Sequence, residues 1–412
     1  MPVSQKQPKI PQLRFPEFSG EWEGKKLGDI AERYNGLKSK TKKDFGSGSA
    51  YITYTQIFEN SKIKIENFGK VKVGENENQN KAKYGDVFFT TSSETPLEVG
   101  MSSVLLDRKF HPYLNSFAFG IRPKSFEILN PEFAQFYFRA DVFRNKMYKL
   151  AQGSTRFNIS RVEFMIKSIL LPCSDEQKKI AGFLGSVDEW IENLTAQKET
   201  LGSYKRGLMQ RIFSQEIKFK DDEGKDFPDW EEIKLKSVGE INTGTTPKTS
   251  VNEYWGNKYL WVTPTDISFN KNIVKTERGL TEAGLEEGRE ISTSSLLVTC
   301  IASIGKNAIL REKGSCNQQI NTLTPNEENS VDFFYYLINA KPNHLLRYAS
   351  SGNMKILNKT TFSKIKFAIP ELKEQKKIAD FLSEIDTMIA NKQAEITAAK
   401  KWKRGLMQQM FV

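Results

Sequence analysis

Cysteine and histidine are scarce in this chain. Its 412 residues hold three cysteines, Cys173, Cys300 and Cys316, and two histidines, His111 and His344. The cysteines show no C-x-x-C spacing, which excludes a disulfide framework or a His/Cys metal site as the organising device and suits a reducing, cytoplasmic setting. Long apolar runs are missing too. The longest, such as SLLVTCIASIG, fall far short of the ~20 residues that a membrane-spanning helix needs, so no membrane association is expected. No GxxxxGK[ST] phosphate loop is present, so any ATP chemistry would have to come from another chain. The opening MPVSQKQPKIPQLRFPEF is polar and proline-studded, unlike a secretory signal, and residues 1–20 are expected to form a flexible tail.

Positive charge is in excess. Lys and Arg number 61 against 50 Asp and Glu, a net charge of +11, which favours a polyanionic partner, nucleic acid first. The length makes two or three domains the natural expectation.

The chain is written twice, and a long-period repeat outranks any local motif. EQKKIAGFLGSVDEWIENLTAQKETLGSYKRGLMQRIF (176–213) falls without a gap on EQKKIADFLSEIDTMIANKQAEITAAKKWKRGLMQQMF (374–411), with about half of the positions identical. Pro172 and Pro370 precede the copies at the same distance. Weaker matches follow in the same order elsewhere: WEGKKLGDIAERYNG with WEEIKLKSVGEINTG, YITYTQI with WVTPTDI, VGMSSVLL with IGKNAILR, NSFAFGIRP with NQQINTLTP, and FAQFYFRA with FFYYLINA. The copies part between Thr90 and Gly100, where the first carries TSSETPLEV and the second only CIASI between Thr299 and Gly305. The loops LKSKTKKDFGSGS and TTPKTSVNEYWGNK also share little. A framework kept with its loops changed is how a scaffold presents two readings of similar ligands.

The long copied segments predict helices. Leu184, Val187, Ile191, Leu194, Leu201, Leu208 and Ile212 in the first, and Leu382, Ile385, Ile389, Ile396, Leu406 and Met410 in the second, recur at seam spacing. About 38 residues at ~1.5 Å each make a rod of roughly 55–60 Å, and two such rods most simply pair antiparallel. Lys198, Lys205 and Lys392 interrupt the seam pattern. Between the repeats' other parts, AYITYTQI, GDVFFTTS, FAFGIRP, YLWVTPTDI, SLLVTCIAS and INTLTP predict strands. PEFAQFYFRADVFRNKMYKLAQ and VDFFYYLINAKPNHLLRYASS predict helices, with Pro131 suited to a first turn.

The two half-repeats, INTGTTPKTSVNEYWGNKYLWVTPTDI (241–267), IGKNAIL followed by NQQIN (317–321), and the paired EQKKIA.FL..D openings together resemble the specificity subunit of type I DNA restriction-modification systems, over essentially the whole chain. The resemblance implies two target recognition domains, each reading one half of a split, asymmetric site in double-stranded DNA. Helical regions would hold the readers apart and dock two methyltransferase (modification) subunits, and restriction subunits that translocate and cleave DNA would join them. The chain itself would be non-catalytic within an adenine-N6 methyltransferase complex, with S-adenosylmethionine, ATP and magnesium belonging to the partner subunits. The implied fold is mixed α/β (α+β) with pseudo-two-fold repetition and an antiparallel coiled coil. The implied layout is a tail over 1–20, target recognition domains over 21–171 and 215–369, and spacer helices over 172–214 and 370–412. A rod of ~55 Å can carry two readers to half-sites separated by unread base pairs, since equivalent groove positions recur every ~34 Å. The first domain departs from the pattern, with YNGLKSKTKKDF in place of NTGTTPKTS and a longer loop before Gly100.

Candidate DNA contacts sit in the loops that were not copied. Lys38, Lys40, Lys42 and Lys43 form a basic run in the first half, and Thr243, Thr245, Thr246 and Lys248 occupy the equivalent loop of the second. Short hydroxyls and lysines suit phosphate and base-edge contacts. Arg156 in GSTRFNISR and Lys355 in SGNMKILNK lie in matching loops, and an arginine can read guanine bidentately. Lys306, Asn307, Gln318 and Gln319 add a cation and amides able to pair with adenine. Any of these could instead serve as a cap or an internal bridge, and base contact is favoured only for Arg156 and Lys355. Two near-motifs fail: NPEF (130–133) lacks the second proline of the N-P-P-[FYW] loop of amino-methyltransferases, and PDWEEIK (228–234) crowds the acid and ExK of a nuclease centre together. Without a complete catalytic constellation, a stand-alone DNA-modifying enzyme is disfavoured; a coiled-coil scaffold or regulator with two binding heads is the remaining rival.

Overall fold

The computed structural model of the chain describes residues 9–268, 270–350 and 355–412. Two compact units emerge, one from Met1–Thr195 with Ala394–Val412, the other from Ala196–Gln393, and each contains the sheet domain of one repeat.

In the first unit, strand Glu23–Lys26 pairs antiparallel with Ser168–Leu171, closing the domain where the chain leaves it. An antiparallel sheet follows in the order Ala31–Asn35, Ala118–Pro123, Val87–Thr90, Ser102–Val104. The second unit repeats this with Glu231–Lys234 on Lys366–Ile369. Its sheet runs Gly239–Thr243, Ile320–Pro325, Ser295–Thr299, Asn307–Leu310, with Asn272–Ile273 added in parallel. The central strands are buried along their length, which is why they read as continuous apolar runs. Helices Pro131–Tyr137 and Val331–Ala340 cover the sheets, and each starts where a side chain caps it: Asn130 accepts from Phe133 N, Ser330 from Phe333 N.

Two predicted strands are shorter than their sequence suggests. The strand Phe45–Ile52 ends at Thr53, whose side chain accepts from Gln56 N and opens helix Tyr54–Glu59. The strand Tyr259–Val262 ends at Thr263, whose N–H and hydroxyl both bond Asp266 Oδ2 at 2.8 and 2.7 Å. In the first, a threonine that favours a strand by propensity caps a helix instead; in the second, the Asp266 carboxylate takes up the Thr263 N–H and hydroxyl and turns the chain.

The long helices are Ser174–Phe213 and Leu372–Met410, and each gives part of its length to each unit. In the first unit Leu184, Val187, Ile191 and Leu194 are buried in one core with Ile396, Leu406 and Met410. In the second, Leu208 and Ile212 share a core with Leu382 and Ile385, with Ile389 partly buried against it; Leu201 is half-buried. The opening of one helix therefore packs beside the end of the other in both units, an antiparallel pairing. Lys205 does not leave the seam: its Nζ bonds Asp386 Oδ1 at 2.5 Å, while Lys198 reaches Gln393 at 2.7 Å.

The copied letters are the parts of this mount. Glu176 accepts from Trp22 Nε1 at 3.4 Å, and Glu374 from Trp230 Nε1 at 3.1 Å. Gln177 accepts from Asn130 N and donates to the carbonyls of Ile128 and Pro172; Gln375 accepts from Ser330 N and donates to Pro370 O. Asp188 takes Lys403 at 2.5 Å, as Asp386 takes Lys205. Phe411 packs against Trp22, Phe133 and Tyr137, while Phe213 packs against Trp230 and Phe333.

The expected flexible tail over 1–20 is not what the described part shows. Residues 1–8 lie outside the described residues, and from Lys9 onward the segment is held. Leu13 N donates to Gln409 O at 3.0 Å, Arg14 bonds both carboxylate oxygens of Glu176 at 2.8 and 2.7 Å, and Phe15 packs edge-on against Phe183. A buried carboxylate, Glu176, gives the polar segment its anchor.

Candidate nucleic-acid interface

Sheet register decides which loops meet. In the first unit Asn35 lies opposite Phe119, and Thr90 opposite Ala118. The loops 36–44, 115–117 and 91–101 therefore all leave the same end of the sheet. In the second unit Thr243 lies opposite Asn321 and Thr299 opposite Ile320, bringing out 244–254, 317–319 and 300–306 at the corresponding end. Two equivalent glycines permit this. A Cβ on Gly36 would stand 2.0 Å from Asn115 O, and one on Gly244 would stand 2.2 Å from Cys316 O, so the first loop of each rim can cross its turn only without a side chain.

A last segment completes each rim. Strand Phe157–Ile159 pairs with Ser92–Ser93 and with Ala151–Gln152, and Ile356 bridges Ile301 in the second unit. Ile159 N donates to Thr91 O, as Leu357 N donates to Cys300 O. Counting back from these bonds puts Lys355 in the place of Phe157 rather than Arg156. The residue that corresponds to Arg156 is Met354, outside the described residues.

On the first rim, Lys38, Lys42 and Lys43 are exposed. Their loop is held from below, where Lys38 N donates to Gln79 Oε1 and Gln79 Nε2 to Lys38 O, both at 3.0 Å. Lys40 departs from the expectation of a free cation. Its Nζ lies 2.6 Å from Glu77 with the side chain only 6% exposed. Lys40, the Gly74 N–H and Gln79 together hold the Glu77 carboxyl down at about 2, so this lock keeps its charge throughout the physiological range. Arg156 is exposed with its guanidinium 5.6 Å from the Phe117 ring. Beside it Tyr54 Oη donates to Ser92 O at 2.7 Å.

On the second rim, Thr246, Lys248, Lys306, Gln318, Gln319 and Lys355 are exposed. Thr246 Oγ1 bonds Gln318 Oε1, tying two loops together. Other candidates turn inward. Thr243 Oγ1 donates to Asn321 Oδ1 at 2.8 Å, Thr245 Oγ1 accepts from Arg289 N at 2.8 Å, and Asn307 is buried between Gly305 O and Asn339. Their hydrogen-bonding capacity is used in shaping the loops, because a buried polar group left unpaired is costly. Arg289, exposed and donating to Thr243 O at 2.6 Å, stands on this rim without having been singled out from the sequence. It lies 46 residues from Thr243 and no local pattern marks it.

Sequence reasoning also missed the supports of the first rim. Arg139 donates to the carbonyls of Ser102, Ile57, Phe58 and Asn60, and Arg144 to those of Leu97, Val99 and Gly100. Burial pushes both guanidinium groups down to about 10. Among the described residues, no group of three or more His, Cys, Asp or Glu could hold a metal ion, and no helix is long and apolar enough to cross a membrane.

What the arrangement can do is bind. The first rim offers exposed cations and the second exposed cations and amides, all on internally braced loops, groups that contact phosphates and base edges. Comparison with known proteins agrees. Residues 19–202 and 228–401 each match the type I restriction modification DNA specificity domain. The chain is 32% identical over 207 residues to the type I restriction enzyme MjaIX specificity subunit of Methanocaldococcus jannaschii, covering 48% of each. A second relative in that organism, whose name as a type I restriction enzyme MjaX specificity subunit is itself provisional, is 26% identical over 95% of this chain and 93% of its own length. The crystal structure of a type I restriction-modification S subunit from M. genitalium shares the fold with a TM-score of 0.53 at 14% identity, covering 98% of this chain and 99% of that one. A chain from a structural study of complex assembly in the type I R-M system aligns with a TM-score of 0.62 at 17% identity, covering 95% of this chain and 97% of that one. With the domain matched in both halves, the chain belongs to the type I restriction modification DNA specificity family.

Proposed function

We propose that the chain is the non-catalytic specificity subunit of a type I restriction-modification complex, reading the two halves of a split DNA site with its two rims. The observation that carries this is the pairing of a copied mount with uncopied rims. The Trp–Glu, Gln–Pro and Lys–Asp contacts recur in both units, while the loops at the equivalent sheet end differ in length and in chemistry. A second copy kept only for stability would have no reason to rebuild its loops. Two readers with one framework give two half-sites of different sequence, hence an asymmetric target.

The chemistry belongs to partners in this reading. Two modification subunits would supply S-adenosylmethionine and adenine-N6 methylation, and restriction subunits would supply ATP- and magnesium-dependent translocation and cleavage, all in the cytoplasm. Double-stranded DNA is bound through a surface whose net charge of +11 favours the duplex before any base is read.

Methylation mapping of DNA from cells carrying the chain with its modification partner tests this. The expected result is one two-part motif. Replacing residues 1–165 with the matching part of a relative changes one half of that motif and leaves the other. Cleavage or methylation by the purified chain alone, given magnesium and S-adenosylmethionine, overturns the proposal.

A further inference from the structure

The loop 91–101 of the first rim has no counterpart of equal length in the second, where 300–306 closes the same gap. The short loop closes on itself, with Thr299 Oγ1 donating to the carbonyls of Ser303 and Lys306. The long one is closed at its neck in the same way, with Gly100 N donating to Thr90 O and Met101 N to Thr90 Oγ1, but it projects beyond that neck. Its tip at 94–98 leaves Glu94, Thr95 and Leu97 exposed, and Leu97 at 70% is the most exposed large apolar side chain among the described residues.

An apolar side chain in that position would ordinarily collapse onto the domain, because burying it removes apolar surface from water. Here the backbone beneath it is fixed. Arg144, from helix Asp141–Tyr148, reaches under the loop and donates to Leu97 O and Val99 O at 2.7 Å and to Gly100 O at 2.5 Å. Arg139 fastens the outgoing strand through Ser102 O at 2.7 Å and, with its other nitrogen, holds the end of the helix that carries Tyr54. Ser93 Oγ donates to Glu98 Oε2 at 3.0 Å across the neck. Helix Pro342–Leu346, the corresponding helix of the second repeat, carries no arginine within it, and its C-cap, Arg347, is exposed. The clamp therefore accompanies the long loop alone.

Building on the specificity-subunit reading, we propose that 94–98 is a base-reading element peculiar to the first domain, with Leu97 making an apolar contact to the 5-methyl group of a thymine and Arg144 acting as its positioning residue. The major groove offers that methyl as its one apolar landmark, and it separates T·A from every other pair. A leucine already held in water loses no favourable packing on meeting it and orders nothing new, so the free energy of burial goes into discrimination. The loop lies on the same rim as Arg156, since Ser93 pairs with Phe157, the next residue.

The test uses the full chain with its modification partner. Once the wild-type motif is mapped, Leu97→Ala is expected to lose roughly tenfold of the preference at one T·A pair in the first half, with the second half unchanged. In a synthetic duplex, replacing that thymine by deoxyuridine removes only the methyl group. The wild-type complex should then slow by the same factor, while Leu97→Ala should not respond. Arg144→Ala should broaden the same pair, and Arg144→Lys should restore part of the preference. If Leu97→Ala keeps every preference of the first half, or if deoxyuridine affects both proteins equally, Leu97 reads nothing and the inference falls. Should Arg144→Ala fail to fold, the leucine and deoxyuridine arms still decide. A wild-type complex with no two-part motif would defeat the underlying functional reading instead, a different result from a Leu97 failure.

Discussion

Glu176 and Glu374 hold the same place in two copies of one fold, yet their surroundings differ. Glu176 receives two bonds from Arg14 as well as the indole of Trp22. Glu374 receives Trp230, and among the described residues no arginine reaches it; burial raises its pKa. The rims differ in the same sense. The first carries a long loop braced by two buried arginines, the second a short loop; a threonine closes the neck of each. Repetition has preserved the contacts that fix a helix to a domain while releasing everything that faces outward. The asymmetry lies in how each copy satisfies the polar groups it exposes or buries, not in the fold.

The comparison can be broken most forcefully at the mount. Glu176→Gln leaves Arg14, 12% exposed, without its charge partner and is expected to destabilise the first unit by about 3 kcal/mol, the usual result of removing one side of a buried pair. Urea unfolding of the full chain measures it. At the rims, Arg156→Ala is expected to weaken binding to the target by about 2 kcal/mol while affecting random DNA less, whereas Lys355→Ala should weaken both alike and lower the salt slope by about 1. Titrations on matched duplexes at several salt concentrations separate the two, and equal losses for Arg156→Ala would make it a phosphate contact.

Smaller effects test the sameness of the copies. Lys205→Met and Lys403→Met each remove one partly buried pair, Lys205–Asp386 or Lys403–Asp188, and are expected to cost about 1–2 kcal/mol apiece and to agree within about 0.5 kcal/mol. A clear inequality would show that the copied letters do unequal jobs. The smallest effect concerns Glu374. Its folded pKa lies above the ordinary carboxylate value, so the folded unit holds the proton more tightly than the unfolded chain. Stability therefore falls as pH rises from the ordinary value through the raised one. Glu374→Gln should abolish that fall and stay within about 1 kcal/mol of wild type at pH 7, in contrast to its counterpart at Glu176. Unfolding midpoints between pH 4 and 7 give the answer.

Much of this was legible in the letters. The repeat at EQKKIA and KRGLMQ exposed the two-unit plan and both long helices, because seam spacing is a local property of a helix. What the letters paired with was not legible. Lys205 looked like an interruption of the seam, and only the antiparallel packing supplies Asp386, 181 residues away, as its partner. The rim loops could be named from their failure to match. Which of their side chains face outward could not, since Lys40 is taken by Glu77 and Asn307 by Asn339 through contacts 37 and 32 residues distant. The tail from Lys9 onward was misjudged for the same reason: polar, proline-rich composition suggests disorder, but one buried carboxylate can hold such a segment.

The sequence by itself determined the duplication, the helices and their apolar seams, the basic character of the chain and the loops along which the two halves diverge, because all of these are written in spacing and composition. Only the tertiary structure decided that those loops gather at one end of each sheet, that Arg139 and Arg144 serve backbone carbonyls rather than DNA, and that Leu97 is held out in water. Those outcomes depend on strand register and on partners remote in the chain, and no local pattern of residues encodes either.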